Sequence, residues 1–113
     1  MKFPKQLITG VLKTIVFKMI RDYKKIHGYD IIQKVKLHTN DKIQITEGAI
    51  YPILHSLETS GYLKTEIEFN GKRQRKYYML SAKGELEVDI KLNEMRDFTE
   101  TMNQLLTMEK NKL

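Results

Sequence analysis

The apolar positions near the start of the chain follow the period of an amphipathic helix. Between Lys5 and Lys25 they recur at steps of three and four residues, which places them on one side of a helix. They are Leu7, Ile8, Val11, Leu12, Ile15, Val16, Met19 and Ile20. Because this stripe is two rows wide, we expect the first helix to face its own core and one further surface.

A second, shorter helical pattern follows. Gly28 is expected to end the first helix or to lie in the turn after it. Tyr29, Ile32 and Val35 then repeat at helical spacing, and the pattern fades at about Leu37. The sequence therefore predicts two helices within the first 40 residues.

The chain between the second and third helices is predicted to be a loop and a brief extended segment. The loop comprises Thr39, Asn40 and Asp41. Ile43 and Ile45 then alternate with polar residues, which is typical of extended backbone. Thr46 has the side chain of a good N-cap, so we expect it to start the third helix.

The third helix is predicted over Glu47 to Ser60, with Gly61 ending it. Its apolar residues form one narrow stripe, which predicts a helix that is buried on one side only. They are Ile50, Ile53, Leu54 and Leu57. Pro52 lacks a backbone N–H and crowds the preceding turn, so the helix is either bent there or regular only from about Tyr51.

A β-hairpin is predicted from Tyr62 to Leu80. Asn70-Gly71 separates two strand-like runs, and this dipeptide is the preferred pair for a two-residue type I′ turn. A loop of these two residues would pair Phe69 with Lys72, Glu68 with Arg73, Ile67 with Gln74, Glu66 with Arg75, Thr65 with Lys76 and Lys64 with Tyr77. One inserted loop residue would change this register.

The last helix is predicted from Ser81 to about Lys110. A helix of about 28 residues extends for roughly 40 Å, which is longer than a domain of this size can cover. Met95, Phe98 and Met102, followed by Leu105, have the 3-4-3 spacing of helices that pack together. We therefore expect a second chain to cover part of this helix.

The order of these elements predicts a mostly α fold with a β-hairpin, in the α+β class. It is the plan of a winged helix-turn-helix, in which the third helix enters the DNA major groove and the hairpin is the wing. The 113 residues leave room for one core. We expect a DNA-binding domain over residues 1–80 and a dimerisation helix over residues 81–113, which together form one compact structural unit.

Charge and composition favour a polyanionic partner. The net charge is +6 with a pI near 9.5, and residues 1–45 alone carry +7, whereas residues 81–113 carry −2. The chain has no Cys, and no apolar run approaches the ~20 residues of a membrane span. The N-terminus also lacks the apolar stretch of a signal peptide, so a cytoplasmic protein with no membrane partner is expected.

The polar face of the third helix is the first candidate for DNA contact. Its residues are Thr46, Glu47, Gly48, Tyr51, His55, Ser56 and Thr59. Gly48 is small enough to let the backbone approach DNA, and a helix N-terminus favours a phosphate. The alternative is that this is the ordinary polar face of a surface helix.

The wing supplies the second set of candidates, Lys72, Arg73, Arg75 and Lys76. In the register given above, Glu68 lies beside Arg73 and Glu66 lies beside Arg75, so these two arginines would be neutralised. Lys72 and Lys76 are then the cations most available to phosphates. Arg21, Lys24 and Lys25 lie at the end of the first helix. We expect them to stabilise the negative C-terminal end of its helix dipole and not to contact DNA.

Catalysis finds little support in the sequence. His27, His38 and His55 lie in three different elements without the spacing of a helical metal site, and no nucleophile has an evident base. There is no Gly-rich phosphate loop. We expect no enzyme activity, no metal and no cofactor.

Three segments together resemble the PadR family of bacterial transcriptional regulators. Glu47 to Glu58, followed by Gly61, is similar to the recognition-helix pattern G-T-I-Y-P-L-L-x-x-L-E-x-x-G, which includes the unusual proline. His27-Gly28-Tyr29-Asp30-Ile31 resembles the opening of the family's second helix. Gly71 to Gly84 resembles its wing and junction, G-x-x-R-K-Y-Y-x-L-T-x-x-G. The likeness covers about residues 5 to 105.

The resemblance implies a homodimer that joins through the C-terminal helix near helix one of the partner, as in the short subfamily. Residues proposed for this interface, or for an effector pocket in it, are Leu7, Gly10, Thr14, Leu92, Met95, Phe98, Met102 and Leu105. It also implies repression of nearby genes and, in many members, release of DNA by a small aromatic ligand. Without any Trp in the chain, Met95 and Phe98 are better explained as dimer core than as a stacking pocket.

The sequence therefore predicts a sequence-specific DNA-binding repressor that binds a pseudo-palindromic operator as a homodimer. Two alternatives are a winged-helix module that binds protein, with a basic face that is only solubilising, and a multidrug-sensing repressor with a ligand pocket at the dimer interface. Steep salt dependence would favour DNA over protein as the partner.

Overall fold

The computed structural model describes residues 2–110, so Met1 and residues 111–113 of the two predicted segments lie outside the described residues. The elements in chain order are α1 (Lys5–Tyr23), β1 (Ile26–His27), α2 (Gly28–His38), α3 (Glu47–Thr59), β2 (Leu63–Asn70), β3 (Arg73–Leu80) and α4 (Ala82–Thr107). The predicted α+β class, with helices followed by a hairpin and one long helix, is confirmed.

Helix α1 lies at the centre of the core. Val16, Phe17 and Ile20 are completely buried, and the ring of Phe17 meets Tyr62 edge-on at a centroid distance of 5.8 Å. The helix ends at Tyr23 because Lys24 takes a positive φ of 69°. Phe17 was absent from the predicted stripe, since its neighbours already satisfied the helical period.

Gly28 neither ends α1 nor lies in a turn, so that prediction was wrong. A two-residue strand, β1, intervenes, and Gly28 is the first residue of α2. His27 is the N-cap of α2, and its side chain accepts a hydrogen bond from the backbone N–H of Asp30. The predicted extended segment at Ile43 and Ile45 forms no strand, although Ile45 is buried in the core.

Helix α3 runs through Pro52 and is already helical at Glu47, so the alternative in which it is regular only from about Tyr51 was wrong. Pro52 is the sixth helical residue, and its missing N–H would have bonded the carbonyl of Gly48. Because Gly48 is exposed, water can bond that carbonyl. The predicted N-cap is confirmed, because the N–H of Ala49 donates to Thr46 Oγ1 at 3.2 Å.

Strand β3 lies in the middle of a three-stranded antiparallel sheet, in the order β1-β3-β2. The hairpin is confirmed, but its register was wrong. The loop is Gly71-Lys72, with Asn70 paired to Arg73. Gly71 has a φ of +65° and occupies the first central position, which is typical of a type II′ turn and not of type I′. Glu68 therefore pairs with Arg75.

The first half of α4 is anchored to the core, and the second half extends beyond it. Gly84, Val88 and Leu92 are buried, whereas most side chains after residue 92 are exposed. The described residues extend over 65 × 33 × 20 Å as a result. Within residues 2–110, none of the helices has the length and apolarity needed to cross a membrane.

Bonds at its start fix α4 to the end of α3. The Ser81 amide donates to the carbonyl of Tyr62 at 3.0 Å, and the Ser81 hydroxyl donates to the carbonyl of Gly61 at 2.6 Å. Gly84 lies so close to the Tyr62 carbonyl that a Cβ at this position would collide with the oxygen. This arrangement of three helices, a hairpin and a fixed long helix is the winged helix-turn-helix plan predicted from the sequence.

Candidate nucleic-acid interface

An open groove of about 480 Å³ separates α3 from the wing, which is the hairpin of β2 and β3. Its walls are the first turns of α2 and α3 and the tip half of β3. The residues that line it are His27, Gly28, Tyr29, Glu47, Tyr51, Arg73, Gln74, Arg75, Lys76 and Tyr78. The groove thus brings predicted residues of α3 and the wing together.

The polar face of α3 points to solvent along its whole length. Ile50, Leu54 and Leu57 are buried on the opposite side. All of the predicted contact residues on this helix are exposed, namely Thr46, Glu47, Gly48, Tyr51, His55, Ser56 and Thr59. A helix that is held on one side and free on the other has the geometry for insertion into a major groove.

Tyr51 connects α3 to the beginning of α2. Its ring lies against Gly28, where an added Cβ would be only 2.8 Å from the ring atom Cε1. The side chain keeps 42% of its surface exposed. Gly28 therefore allows the Tyr51 ring to pack against the start of α2 while part of the side chain stays exposed in the groove.

Lys76 is bound within the protein, so its prediction as a freely available cation was wrong. Its ammonium donates to Glu58 Oε1 at 2.9 Å, and the Thr65 hydroxyl donates to the other carboxylate oxygen at 3.0 Å. The hydrogen bond from Lys76 lowers the pKa of Glu58, and the same bond raises the pKa of Lys76. This cluster ties the wing to α3.

The two wing glutamates also have a different partner from the one predicted. Lys25 binds Glu66 at 3.3 Å and also binds Glu68, and its ammonium lies 5.3 Å from the ring centre of Tyr77. The hydrogen bonds that Lys25 donates to these glutamates raise the pKa of Lys25, with Glu68 the larger contributor. Lys25, which follows α1, therefore forms ion pairs with both of the carboxylates that were expected to pair with wing arginines.

Arg73 and Arg75 consequently keep their positive charges free. Neither guanidinium forms an ion pair with a carboxylate anywhere in residues 2–110, and the same holds for Lys72. The correction follows from the register, because a turn shifted by one residue gives every charge on the wing a new neighbour. The wing cations without a carboxylate partner in residues 2–110 are thus Arg73 and Arg75, which line the groove, and Lys72, which lies in the turn.

His27 is a residue of the groove that sequence reasoning missed. Its Nε2 lies 3.1 Å from Arg75 Nη1, and its ring meets Tyr77 edge-on at 5.4 Å. Burial, followed by the charge of Arg75, lowers the pKa of His27. Its place directly before the Gly28-Tyr29 opening of α2 was the available signal, but histidine is not among the usual N-caps.

A second surface lies on α1 and α4. Thr14, Leu92 and Met95 line an apolar groove of about 500 Å³ between these helices, together with residues from the end of α2. Leu92 is only 7% exposed and belongs to the core of its own chain, so it offers little surface to a partner. The other residues proposed for this surface do not line the groove, and they are Leu7, Gly10, Phe98, Met102 and Leu105.

The three histidines lie apart from one another. His38 Nε2 is 2.8 Å from the hydroxyl of Tyr23, His27 lies in the groove and His55 is exposed on α3. Within the described part of the chain, no cluster of three His, Asp or Glu side chains could hold a metal ion.

The chain is similar in sequence to known proteins. A family model described as "Transcriptional regulator PadR-like family" matches residues 16–90. A protein of Lysinibacillus sphaericus, described as uncharacterized, is 31% identical over 81 residues, which are 69% of this chain and 72% of that protein.

Solved structures show the same fold. A transcriptional regulator from Clostridium thermocellum superposes with a TM-score of 0.79 at 23% identity, over 88% of this chain and 97% of the other. A PadR family transcriptional regulator from Eggerthella lenta DSM 2243 superposes with a TM-score of 0.78 at 24% identity, over 92% of this chain and 88% of the other.

Proposed function

Because the chain belongs to the PadR-like family of transcriptional regulators, we propose that it is a repressor that binds a pseudo-palindromic operator as a homodimer. The family consists of DNA-binding regulators and not of enzymes. The observation that carries the proposal is the groove between α3 and the wing, where free guanidinium groups flank an exposed polar helix face. Phosphates and base edges are the chemistry that this combination recognises.

The two walls of the groove have different tasks in this proposal. His55 and Ser56 lie on the exposed face of α3 and contact base edges in the major groove. Tyr51 and Arg73, which line the groove, and Lys72, which lies in the turn of the wing, contact the phosphate backbone. Such contacts set the position of α3 without reading sequence. Lys76 has at most a minor share, because its ammonium is already bonded to Glu58.

The homodimer is supported by the exposed part of α4. Phe98 is 55% exposed and Leu105 is 56% exposed, on a helix that no other element of the described chain covers at this end. The burial of such side chains against a second copy is worth roughly 1.5 to 3 kcal/mol each. Two chains joined in this way would present their α3 helices about one DNA turn apart.

The direct test is selection of duplexes by the purified protein from a random pool, followed by affinity measurements at rising salt. We expect an enriched sequence with two inverted half-sites, and a logarithm of affinity that falls linearly with the logarithm of salt concentration. Sedimentation equilibrium should give a dimer at micromolar concentration. Failure to bind any duplex in a salt-dependent way would favour the alternative of a protein-interaction module.

A second candidate function, release of DNA by a small ligand, is favoured by the apolar groove between α1 and α4. Its volume of about 500 Å³ suits a drug-sized molecule, and Arg96 and Lys18 add cations to its lining. A thermal-shift screen of flat aromatic compounds tests this candidate. A true effector should raise the melting temperature and weaken binding to the selected duplex.

A further inference from the structure

His27 and Arg75 make a contact that lacks an acceptor. The backbone N–H of Asp30 donates to Nδ1 of His27 at 3.1 Å, so Nδ1 carries a lone pair and the proton of the neutral ring is on Nε2. Nε2 lies 3.1 Å from Arg75 Nη1, and a guanidinium has no acceptor. The opposite tautomer would place Nδ1–H against the N–H of Asp30. Either tautomer therefore leaves two donors facing each other.

The surroundings hold these donors in place and keep them accessible. The His27 ring is fixed by its cap bond to α2 and by the edge of Tyr77. Both His27 and Arg75 line the open groove beside α3, and Arg73 adds a further positive charge nearby. Because burial lowers the pKa of His27, the neutral form of the ring predominates at pH 7 and supplies an N–H, while Arg75 supplies the charge.

We propose that His27 and Arg75 together bind one backbone phosphate of duplex DNA at the edge of the groove between α3 and the wing. The inference rests on the proposed function, because it is the DNA strand that brings the phosphate to this groove. A non-bridging phosphate oxygen accepts hydrogen bonds from Nε2 of His27 and from Nη1 of Arg75 at once. The contact between two donors thereby becomes a two-sided anion site, and a positioning contact is added at the start of α2.

The first test compares His27→Asn with the wild type. The Asn side chain can still cap α2, since its oxygen accepts from the N–H of Asp30, but it has no group in the place of Nε2. We expect His27→Asn to bind duplexes of every sequence about 3-fold to 10-fold more weakly, with an unchanged salt slope because the lost group is neutral. Circular dichroism should give the wild-type melting temperature.

Arg75→Gln is the companion variant, and Lys36→Gln is the matched control. Arg75→Gln should weaken binding and reduce the salt slope by about 0.9, the value for one phosphate contact on B-DNA. Lys36 lies exposed at the opposite end of α2, so removal of its charge should leave affinity for the duplex almost unchanged. In the double variant, His27→Asn should cost less than it does alone, since both groups bind the same phosphate.

NMR of the His27 ring tests the proposed contact without a substitution at His27. In ¹⁵N-labelled full-length protein, the Nε2–H tautomer should be seen, and its Nε2 resonance should shift when a 12-base-pair duplex is added. The shift should be lost in Arg75→Gln. The proposed phosphate contact would be wrong if His27→Asn bound with wild-type affinity, or if the His27 Nε2 resonance did not shift at saturating duplex. Either result would leave the DNA-binding function standing. Wild-type protein that binds no duplex would overturn both.

Discussion

Helices α3 and α4 both leave one face uncovered, but the two faces differ in chemistry. The uncovered face of α3 is polar, with Tyr51, His55 and Ser56 in solvent, and charged residues of the wing lie beside it. The uncovered end of α4 displays Phe98, Leu105 and Leu106, the last of them 75% exposed. A polar, cationic face suits a hydrated polyanion, whereas an apolar face requires another protein surface.

The same contrast appears in how each helix is held. Helix α3 is held against the core along its length by one apolar stripe. Bonds from Thr65 and Lys76 to Glu58 tie the wing to this helix. Helix α4 is anchored through Val88 and Leu92, and its second half extends away from the core. The chain therefore supports its proposed DNA face fully by itself, but it supports only half of the helix proposed for dimerisation.

The largest expected effect comes from Phe98→Asp. A carboxylate in the proposed interface would be unpaired and poorly solvated, so the protein should become monomeric at micromolar concentration. Affinity for a two-half-site operator should fall roughly 100-fold or more, and non-specific affinity should fall much less. Sedimentation equilibrium and fluorescence anisotropy measure the two effects.

Asn103→Asp is the matched control, because it adds the same charge at another exposed position of α4 outside the 3-4-3 spacing. It should remain dimeric. A Phe98→Asp protein that is still a dimer, or a wild type that sediments as a monomer, would contradict the comparison between the two helices.

The next effect concerns the backbone contacts assigned to the groove. Tyr51→Ala should weaken binding to all duplexes about 10-fold, because the ring that reaches across from α3 is lost, whereas His55→Ala should change the order of preference among sequences. Tyr51→Phe isolates the hydroxyl group. Anisotropy titrations on a panel of duplexes measure both, and unchanged affinities for Tyr51→Ala would remove α3 from the interface.

A smaller effect separates the two lysines of the wing. Lys72 has no carboxylate partner within residues 2–110, whereas Lys76 is bonded to Glu58, so Lys72→Gln should cost more DNA affinity than Lys76→Gln. We expect a loss of about 3-fold to 5-fold for Lys72 and less than 2-fold for Lys76 at low salt. Losses of similar size for the two lysines would restore the expectation drawn from the sequence, and a larger loss for Lys76 would contradict the role given to its bond with Glu58.

The smallest effect is the pH dependence of the tie between α3 and the wing. The pKa of Glu58 is lowered in the folded protein from its ordinary value of 4.5, so the unfolded chain binds this proton more readily. The stabilisation is present above about pH 4.5 and is lost as the pH falls through the folded pKa. Since the pair is partly exposed, Glu58→Gln should cost only roughly 0.2 to 1 kcal/mol at pH 7.

Thermal unfolding at pH 7 and pH 3.5 measures this difference. Wild type and Glu58→Gln should differ in stability at pH 7, and the difference should be smaller at pH 3.5 and continue to shrink as the pH is lowered further. Thr65→Val provides a control, because it removes the hydroxyl bond to Glu58 but keeps the ion pair with Lys76. A difference that is the same at every pH would assign the stabilisation to packing instead.

The sequence was sufficient for features that depend on local pattern. The helices, the N-cap Thr46 and the hairpin each follow from neighbouring residues, and the structure has all of them. The register failed because Gly71 can occupy either central position of a two-residue turn. Strand β1 was not predicted because two residues are too few to show an alternation of apolar and polar side chains. Only their pairing with β3 identifies them as a strand.

The ion-pair partners of the wing residues could not be predicted from local sequence for a similar reason, because they lie far away along the chain. Lys25 reaches Glu66 and Glu68 across some 40 residues of sequence, and Lys76 reaches Glu58 across 18. Residue types alone identified the cationic wing but could not say which charges are neutralised. The contact between His27 and Arg75 likewise exists only once β1 and β3 are paired.

The rigid junction at Ser81 makes α4 a lever. Three hydrogen bonds join this junction to residues 60–62: the two bonds from Ser81 described above and one from the ammonium of Lys83 to the carbonyl of Ser60. The close contact between Gly84 and the Tyr62 carbonyl also prevents α4 from sliding. A helix of 26 residues is about 39 Å long, so a rotation of about 5° at its start moves its far end by about 3 Å. Conversely, in the proposed dimer, a shift of a few ångströms where two α4 helices meet would rotate each winged helix-turn-helix domain relative to its DNA half-site.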